Sequence, residues 1–321
     1  MSEDKYDWLP TESAKKDFPM QIIKGDLIFR NDNSIYIPDH RLIENGWGQI
    51  GSIHVVGEDL KPLPETLIIA WFSYIESNFF LGEFELPFDK IEKLFKKGFN
   101  SPVDGKQTTY KYIIVGLGLK GAVSIWLSGD GIVKEVAQFD AEEADEEVDW
   151  RHITLSDLER EQYIEKTLLQ SFNGDEKKIE KAKKHAAQEN PWEGYRIKYD
   201  WNIDIAGTAK PLSIWSSTFN GEKEYINYEK GKSCEQAERS VPKSMILNWA
   251  SPEGKKYSTD ITFNTGEIFK AFDKLYSSNP DDTLQLQIEI DASSYSLETY
   301  LINSKYTLAL QKTKVEVFSY A

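Results

Sequence analysis

Apolar and polar residues alternate along much of the chain, and aromatic and β-branched residues fill many of the apolar positions. This two-residue period is typical of β-strands that bury one face. It predicts strands over the following segments of the first half: Ile22–Phe29, Ile50–Val56, Thr66–Tyr74, Phe79–Glu85, Tyr110–Leu117, Ala122–Leu127 and Val133–Phe139. The first half is therefore expected to be mainly antiparallel sheet.

A helical period interrupts these strands at "PFDKIEKLFKKGF", where Phe88, Ile91 and Phe95 fall on one helical face. Pro87 precedes the segment and Gly98 follows it, and both residue types are common at helix boundaries. The pattern predicts one short helix packed on the sheet.

From Thr154 to Gln188 the pattern changes to two helices, "LSDLEREQYIEKTLLQSF" and "DEKKIEKAKKHAAQ", separated at Asn173 and Gly174. The second has few apolar residues, which favours a surface position. We expect "ENPWEG" to end this helix and strands to resume at Tyr195.

Two stretches of the chain resemble each other and suggest an internal repeat. "PETLIIAWFSY" begins at Pro64, and "PKSMILNWASP" begins 178 positions later at Pro242. The helical segment and the strand pair around "YKYIIVGLGLKGAVSIWL" have counterparts in the same order, although two halves built on one common order of strands and helix would also look alike. The prediction is an α+β protein of two similar modules, each mainly antiparallel sheet with one short packed helix. Their ranges are 18–150 and 191–321, and residues 151–190 form a helical linker.

The net charge, the first residues and the cysteine count limit which partners and which cellular location are expected. The 321 residues carry a net charge of -15, so a phosphate backbone would be repelled, and no nucleic acid is expected as a partner. The start carries acidic residues where an export signal needs a basic and then an apolar stretch, and no apolar run is long enough for a membrane span. A cytoplasmic location is therefore expected, and the single cysteine, Cys234, excludes an internal disulfide.

Candidate catalytic features are weak. "GLGLKG", Gly116–Gly121, fits a dinucleotide-binding fingerprint, but the following residues read as a strand rather than a helix, which favours a β-hairpin turn. The four histidines show no metal-ligand spacing, and Cys234 has no histidine nearby in sequence. We predict no metal, no cofactor and no enzymatic activity.

The remaining candidates would bind a protein partner. Trp47 and Trp192 lie in predicted turns, where they would either anchor a partner or fold back over the core. An acidic run would either be a solvated loop or steer a basic partner into contact. Its candidate residues are Asp140, Glu142, Glu143, Asp145, Glu146, Glu147 and Asp149.

About 80 residues of the first half resemble a bacterial family, the domain of unknown function 2931. The residues that carry the resemblance are Trp71, the segment Phe80–Pro87, and Val115–Leu127 with its "VGLGLKGAVSIWL" pattern. The second half resembles this family only through the internal repeat. Many members are lipoproteins, and this chain departs from that form because its start has neither export signal nor cysteine.

Some members of the family resemble immunity proteins encoded beside secreted antibacterial toxins, including those of the type VI secretion system. The resemblance implies a cytoplasmic immunity protein that neutralises a cognate, possibly basic toxin by stoichiometric binding. A non-catalytic module that binds a small ligand or glycan through tryptophans is the alternative.

Overall fold

The computed structural model describes residues 4–144, 150–154, 156–188, 191–291 and 295–320. It is an α+β fold, mostly strands with few helices and several sheets. The chain divides into two compact units, residues 1–192 and 193–321. The helical segment from Arg160 to Gln188 lies within the first unit.

The first unit begins with strands and ends with helices. Its strands are β1 (Tyr6–Asp7), β2 (Leu9–Ala14), β3 (Met20–Phe29), β4 (Ser34–Tyr36), β5 (Leu60–Lys61), β6 (Pro64–Ser73), β7 (Asn78–Glu85), β8 (Phe99–Asn100), β9 (Gln107–Thr108), β10 (Tyr112–Leu117), β11 (Ala122–Gly129), β12 (Ile132–Asp140) and β13 (Glu142–Ala144). Its helices are α1 (Phe88–Lys97), α2 (Trp150–Thr154), α3 (Arg160–Ser171) and α4 (Glu176–Gln188), and α5 (Pro191–Arg196) spans the unit boundary.

The second unit contains one longer helix among its strands. The strands are β14 (Lys198–Gly207), β15 (Lys210–Thr218), β16 (Lys223–Asn227), β17 (Ala237–Ser240), β18 (Pro242–Ala250), β19 (Lys256–Thr262), β20 (Leu284–Asp291), β21 (Ser296–Ile302), β22 (Thr307–Ala309) and β23 (Lys314–Tyr320). The helix is α6 (Thr265–Ser278).

The two units use the same order of strand pairings. In the first unit, hydrogen bonds join β2-β10-β11-β12 and β13-β7-β6-β3-β4. In the second unit they join β14-β20-β21-β22 and β23-β19-β18-β15-β16, with β17 added beside β14. The pairs β2–β10 and β14–β20 are parallel, whereas the other ladders of these sheets are antiparallel.

Two irregularities also occupy the same places in both units. In β3 the extra residue Ile23 follows directly after the pairing with Trp71 of β6. In β15 the extra residue Leu212 follows directly after the pairing with Trp249 of β18. A second register shift precedes the last residue pair of the β3–β6 ladder and of the β15–β18 ladder. That last pair contains Pro64 of β6 in the first unit and Pro242 of β18 in the second. Each β-bulge inserts one residue and increases the local twist of the strand.

The helices α1 and α6 each pack through apolar residues that helical periodicity places on one face. Ile91 and Phe95 of α1 are buried, and the Phe95 ring lies 5.1 Å from that of Tyr6. In α6 the buried residues include Ile268 and Phe272, and the Phe272 ring contacts Trp201 of β14. The prediction of α1 between Pro87 and Gly98 is confirmed.

The predicted strand Ile50–Val56 is wrong, since this segment is an irregular stretch in the structure. Three of its four apolar side chains are exposed, among them Ile53 by 49% and Val55 by 84%. The backbone N–H of Gly51 donates to a threonine hydroxyl of β2, and that of Ser52 donates to a glutamate there, 2.9 and 2.7 Å away. Side chains of β2 thus replace the backbone acceptors that a strand would have used.

The strand expected from Tyr195 begins later, at Lys198. "PWEGYR" forms the helix α5, in which Pro191 is the first residue. Proline is favoured at that position because its missing N–H has no intrahelical partner there. The sequence predicted a turn around Trp192, but the structure has the helix α5 there.

Candidate partner-binding surfaces

The two tryptophans that the sequence predicted in turns lie against the core of the first unit. Trp192 is only 2% exposed, and Trp47 is half-buried. Their ring centroids are 4.2 Å apart, and Trp47 also meets the buried Trp126 edge-on at 4.9 Å. We call Trp47, Trp126 and Trp192 the indole cluster. This packing matches the expectation that turn tryptophans fold back over the core, and Trp192 offers little surface to a partner.

The glycines of "GLGLKG" make room for this cluster. A Cβ on Gly116 would lie 2.2 Å from a ring carbon of Trp126, and one on Gly118 would lie 2.7 Å from the ring of Trp192. Gly121, with φ +76°, lies in the turn between β10 and β11, so the predicted hairpin is confirmed. The glycine spacing that resembles a nucleotide fingerprint serves close indole packing and a turn.

Part of the acidic run forms an edge strand. Glu142 and Glu143 are exposed residues of β13, which pairs only with β7 among the described strands. The Glu143 carboxylate accepts a hydrogen bond of 2.7 Å from Asn78. Asp140 is exposed at the end of β12. The other four candidates lie outside the described residues: Asp145, Glu146, Glu147 and Asp149.

A further carboxyl group lies close to this strand. Glu76, in the turn between β6 and β7, accepts hydrogen bonds from the Ser73 hydroxyl at 2.7 Å and from the Lys120 N–H at 2.8 Å. Burial raises the pKa of Glu76, and the charge of Glu143 adds to this rise, while the two hydrogen bonds oppose it. Glu76 is therefore a partly buried carboxyl group whose pKa is raised mainly by burial, with Glu143 as a nearby acid.

The second unit presents a surface that the sequence reading did not single out. One cross-strand row runs over the outward face of β16-β15-β18-β19-β23. In order, it contains Tyr225, Trp215, Ile246, Asp260 and Glu316. Neighbouring strands lie about 4.8 Å apart, so the row is about 19 Å long. We call it the aromatic-acidic row.

The apolar half of this row is accessible. Ile246 is 44% exposed, and Trp215 and Tyr225 are half-buried with ring centroids 4.9 Å apart. In the adjacent row Phe318 is 49% exposed, and the Asn248 amide donates to a serine hydroxyl on the same face. The aliphatic Ile246 thus lies directly beside Asp260, and the two aromatic rings continue the row on its other side.

A local signal for this surface exists in the sequence. Trp215 directly follows the buried Ile214, and Ile246 stands between the buried Met245 and Leu247. Consecutive apolar residues on a strand place one of them on the outward face, because side chains alternate between faces. Two or three consecutive apolar residues in an otherwise alternating strand therefore indicate an exposed apolar side chain, such as those of the aromatic-acidic row.

The single cysteine is a weak candidate for chemistry. Cys234 is 6% exposed, and burial raises the pKa of its thiol, with the nearby Arg239 guanidinium opposing that rise. The thiol is therefore mainly protonated near neutral pH, whereas a nucleophilic cysteine needs the thiolate. The described residues include no cluster of three or more histidine, cysteine or acidic side chains that could hold a metal.

Comparison with known proteins identifies the family. Across the described residues, no helix has the length and apolar character needed to cross a membrane. Neither a curated protein nor a solved structure matches the chain. The model of one family, described as a protein of unknown function (DUF2931), matches residues 1–191, which is more than half of the chain and ends one residue before the unit boundary. The chain therefore belongs to the DUF2931 family.

Proposed function

We propose that this protein is a cytoplasmic immunity protein that neutralises a cognate secreted antibacterial toxin, of the type VI secretion system or a related one, by stoichiometric binding. The observation that carries the proposal is the aromatic-acidic row, where Trp215 pairs with Ile246, and Ile246 in turn pairs with Asp260. Protein interfaces concentrate their binding free energy in aromatic and aliphatic anchors surrounded by polar groups.

The charge of the chain supports a basic partner. The net charge of -15 attracts cationic proteins, and the exposed Glu142 and Glu143 of β13 add a second acidic edge. Toxins that attack nucleic acids often carry basic surfaces, because their substrates are polyanions. In this proposal the inhibitor competes for such a surface by charge and retains the toxin through apolar contacts.

We also propose that the two units are tandem copies of one domain. The shared order of pairings supports this, including the two parallel pairs. The matched bulges at Ile23 and Leu212 support it more strongly, because a bulge inserted at the same step of a ladder is an unusual coincidence. A crystal structure of the protein should superpose β14–β23 on β2–β13 with both bulges aligned. A different strand order in the second unit would contradict duplication.

The function is tested by co-expression with the protein encoded by the adjacent gene. We expect the immunity protein to restore growth and to co-purify with that protein in a one-to-one ratio. Ile246→Arg, in the centre of the aromatic-acidic row, should abolish both effects because it places a cation where an apolar anchor is buried on binding. Val103→Arg is the matched control, since Val103 is 83% exposed in the other unit. Absence of both rescue and co-purification for the wild type would refute the proposal.

The alternative function, binding of a small ligand or glycan, is favoured by one observation. Trp215 and Tyr225 present two adjacent half-buried rings on an open sheet face, and sugar rings stack on such aromatic surfaces. A tryptophan fluorescence shift on addition of ligand, lost in Trp215→Phe, would support this function. Growth rescue that depends on the neighbouring gene would instead favour immunity.

A further inference from the structure

A groove in the first unit lies between the β6–β7 turn and the helices α3 and α4, and its volume is about 450 Å³. Its floor is apolar, formed by Ile75 from the turn, Ile164 and Leu168 from α3, and Ile179 from α4. Each of these side chains is less than a tenth exposed. The groove is therefore a shaped apolar depression rather than a flat patch.

The rim of this groove is strongly acidic. Glu161 and Glu165 line it from α3, and Glu176 and Glu180 line it from α4. On each helix the two glutamates are four residues apart, so their side chains lie on one face about 6 Å from each other. Lys183 is the cation that lines the groove. Two acidic rows thus border an apolar floor.

The distribution of charge on α4 is uneven around its axis. The helix carries five lysines, but of these only Lys183 lines the groove, whereas both of its glutamates do so. Lys178 pairs instead with Asp175 at 3.5 Å. The negative potential of the groove is therefore not cancelled by the lysines of the same helix.

We infer that this groove binds a lysine- or arginine-rich amphipathic α-helix of a partner protein. The apolar face of such a helix would lie on Ile75, Leu168 and Ile179, and its cations would face the four glutamates. Helix-in-groove recognition uses this combination of an apolar stripe and flanking charge. An anionic membrane or nucleic acid is disfavoured because the rim would repel phosphate. The inference concerns a surface other than the aromatic-acidic row and does not require the partner to be a toxin.

The test uses the full chain and a synthetic helical peptide with leucines at i, i+3, i+4 and i+7 and lysines elsewhere. Binding is measured by fluorescence anisotropy of the labelled peptide. The variant Glu176→Gln/Glu180→Gln should raise the Kd about fourfold, since each exposed ion pair contributes a factor of about two. The control Glu229→Gln/Glu238→Gln removes the same charge from exposed positions of the second unit and should leave the Kd unchanged.

A second peptide with the same composition and scrambled leucines separates groove binding from bulk charge attraction. It should bind at least tenfold more weakly, because its apolar residues cannot line one face. Equal affinity for the two peptides, equal effects of the two double variants, or no binding to the wild-type chain would each overturn the inference.

Discussion

The tryptophans at matched positions of the two units, Trp71 and Trp249, are both buried but differ in hydrogen bonding. The Trp249 indole donates to the Thr259 hydroxyl at 2.9 Å, whereas the Trp71 indole N–H has no partner among the described residues. In the first unit Gly82 stands at the ladder position that corresponds to Thr259. A Cβ there would lie 2.3 Å from the ring of Phe84. The first unit therefore packs an aromatic ring where the second has a hydroxyl acceptor.

Thr259→Val should lower the free energy of unfolding by about 1–2 kcal/mol, because it leaves the Trp249 N–H buried without an acceptor at nearly constant volume. The change is measured from urea unfolding followed by tryptophan fluorescence. Thr262→Val is the control, since Thr262 is exposed on the same strand. A loss no larger than that of the control would show that the indole hydrogen bond contributes nothing.

Gly116→Ala should destabilise the protein by about 1–3 kcal/mol, since the added methyl would overlap the Trp126 ring and force the indole cluster apart. Thermal unfolding provides the measurement. Gly194→Ala is the matched control, because its Cβ would meet only ordinary contacts at 3.5 Å in α5, where alanine is favoured over glycine. An unchanged melting temperature for Gly116→Ala would contradict the packing role of this glycine.

Glu76→Gln should stabilise the protein at neutral pH relative to the wild type. The folded protein holds the Glu76 proton more tightly than the unfolded chain, since its pKa is raised by burial. Wild-type stability therefore falls as pH rises through the interval between the ordinary glutamate pKa and the raised one. The glutamine keeps an acceptor for Lys120 and a donor for Ser73.

The free energy of unfolding of wild type and Glu76→Gln is compared at pH 4 and pH 7. The advantage of the variant should be present at pH 7 and shrink toward pH 4, where the carboxyl group is mainly protonated in both states. An advantage that does not change with pH would exclude the protonation effect.

At the scale of elements, hydrophobic period predicted the central strands and the first helix. β3, β6, β7, β10, β11 and β12 lie within a few residues of their predicted ranges. The hydrophobic period gave wrong predictions where tertiary contacts determine whether a segment forms a strand. Ile50–Val56 alternates like a strand, but Thr11 and Glu12 take its N–H groups, and β2 was missed because "LPTESA" carries no apolar alternation.

The candidate surface was harder to predict than the fold. Trp47 and Trp192 are conspicuous in sequence, but only the structure shows that Trp47 packs against both Trp192 and Trp126. The aromatic-acidic row depends on the register of five strands, and a shift of one residue would turn each side chain to the other face. Local sequence patterns do not specify that register.

The two packed helices begin differently, which leads to a prediction for α6. Its N-cap residue Asn264 accepts a hydrogen bond from the Glu267 N–H at 3.1 Å, whereas Pro87 gives α1 no side-chain cap. Asn264→Ala should lower the free energy of unfolding by about 1 kcal/mol, and Asn264→Asp should be nearly neutral because aspartate also caps. Denaturant unfolding of the two variants checks this, and equal stability would contradict the capping role.

At the scale of the whole molecule, the excess of acidic residues predicts how fast a basic partner associates. With a net charge of -15, the association rate with the protein of the adjacent gene should fall about tenfold from low to high ionic strength. The dissociation rate should change much less, because apolar anchors hold the complex. Stopped-flow mixing at several salt concentrations measures both rates. A salt-independent association rate would exclude steering by charge.

The family match and the unit boundary coincide within one residue at the end of the first unit. The second unit shares strand order and bulges with the first but differs at the Gly82 and Thr259 positions and in its outward aromatic residues. Under the proposed duplication, differences of this kind would account for a family model that matches residues 1–191 and not the second unit.

The indole cluster provides an intrinsic spectroscopic reporter. The Trp47 ring lies 4.2 Å from that of Trp192 and 4.9 Å from that of Trp126. Trp47 lies in a loop, Trp192 at the start of α5 and Trp126 in β11. Indoles this close couple their electronic transitions, so the two ring pairs contribute an exciton signal to the circular dichroism spectrum that isolated tryptophans lack. Loss of this signal without loss of secondary structure would mark separation of Trp192 from Trp47 within the first unit. The packing of the indole cluster can thus be followed in solution without any added label.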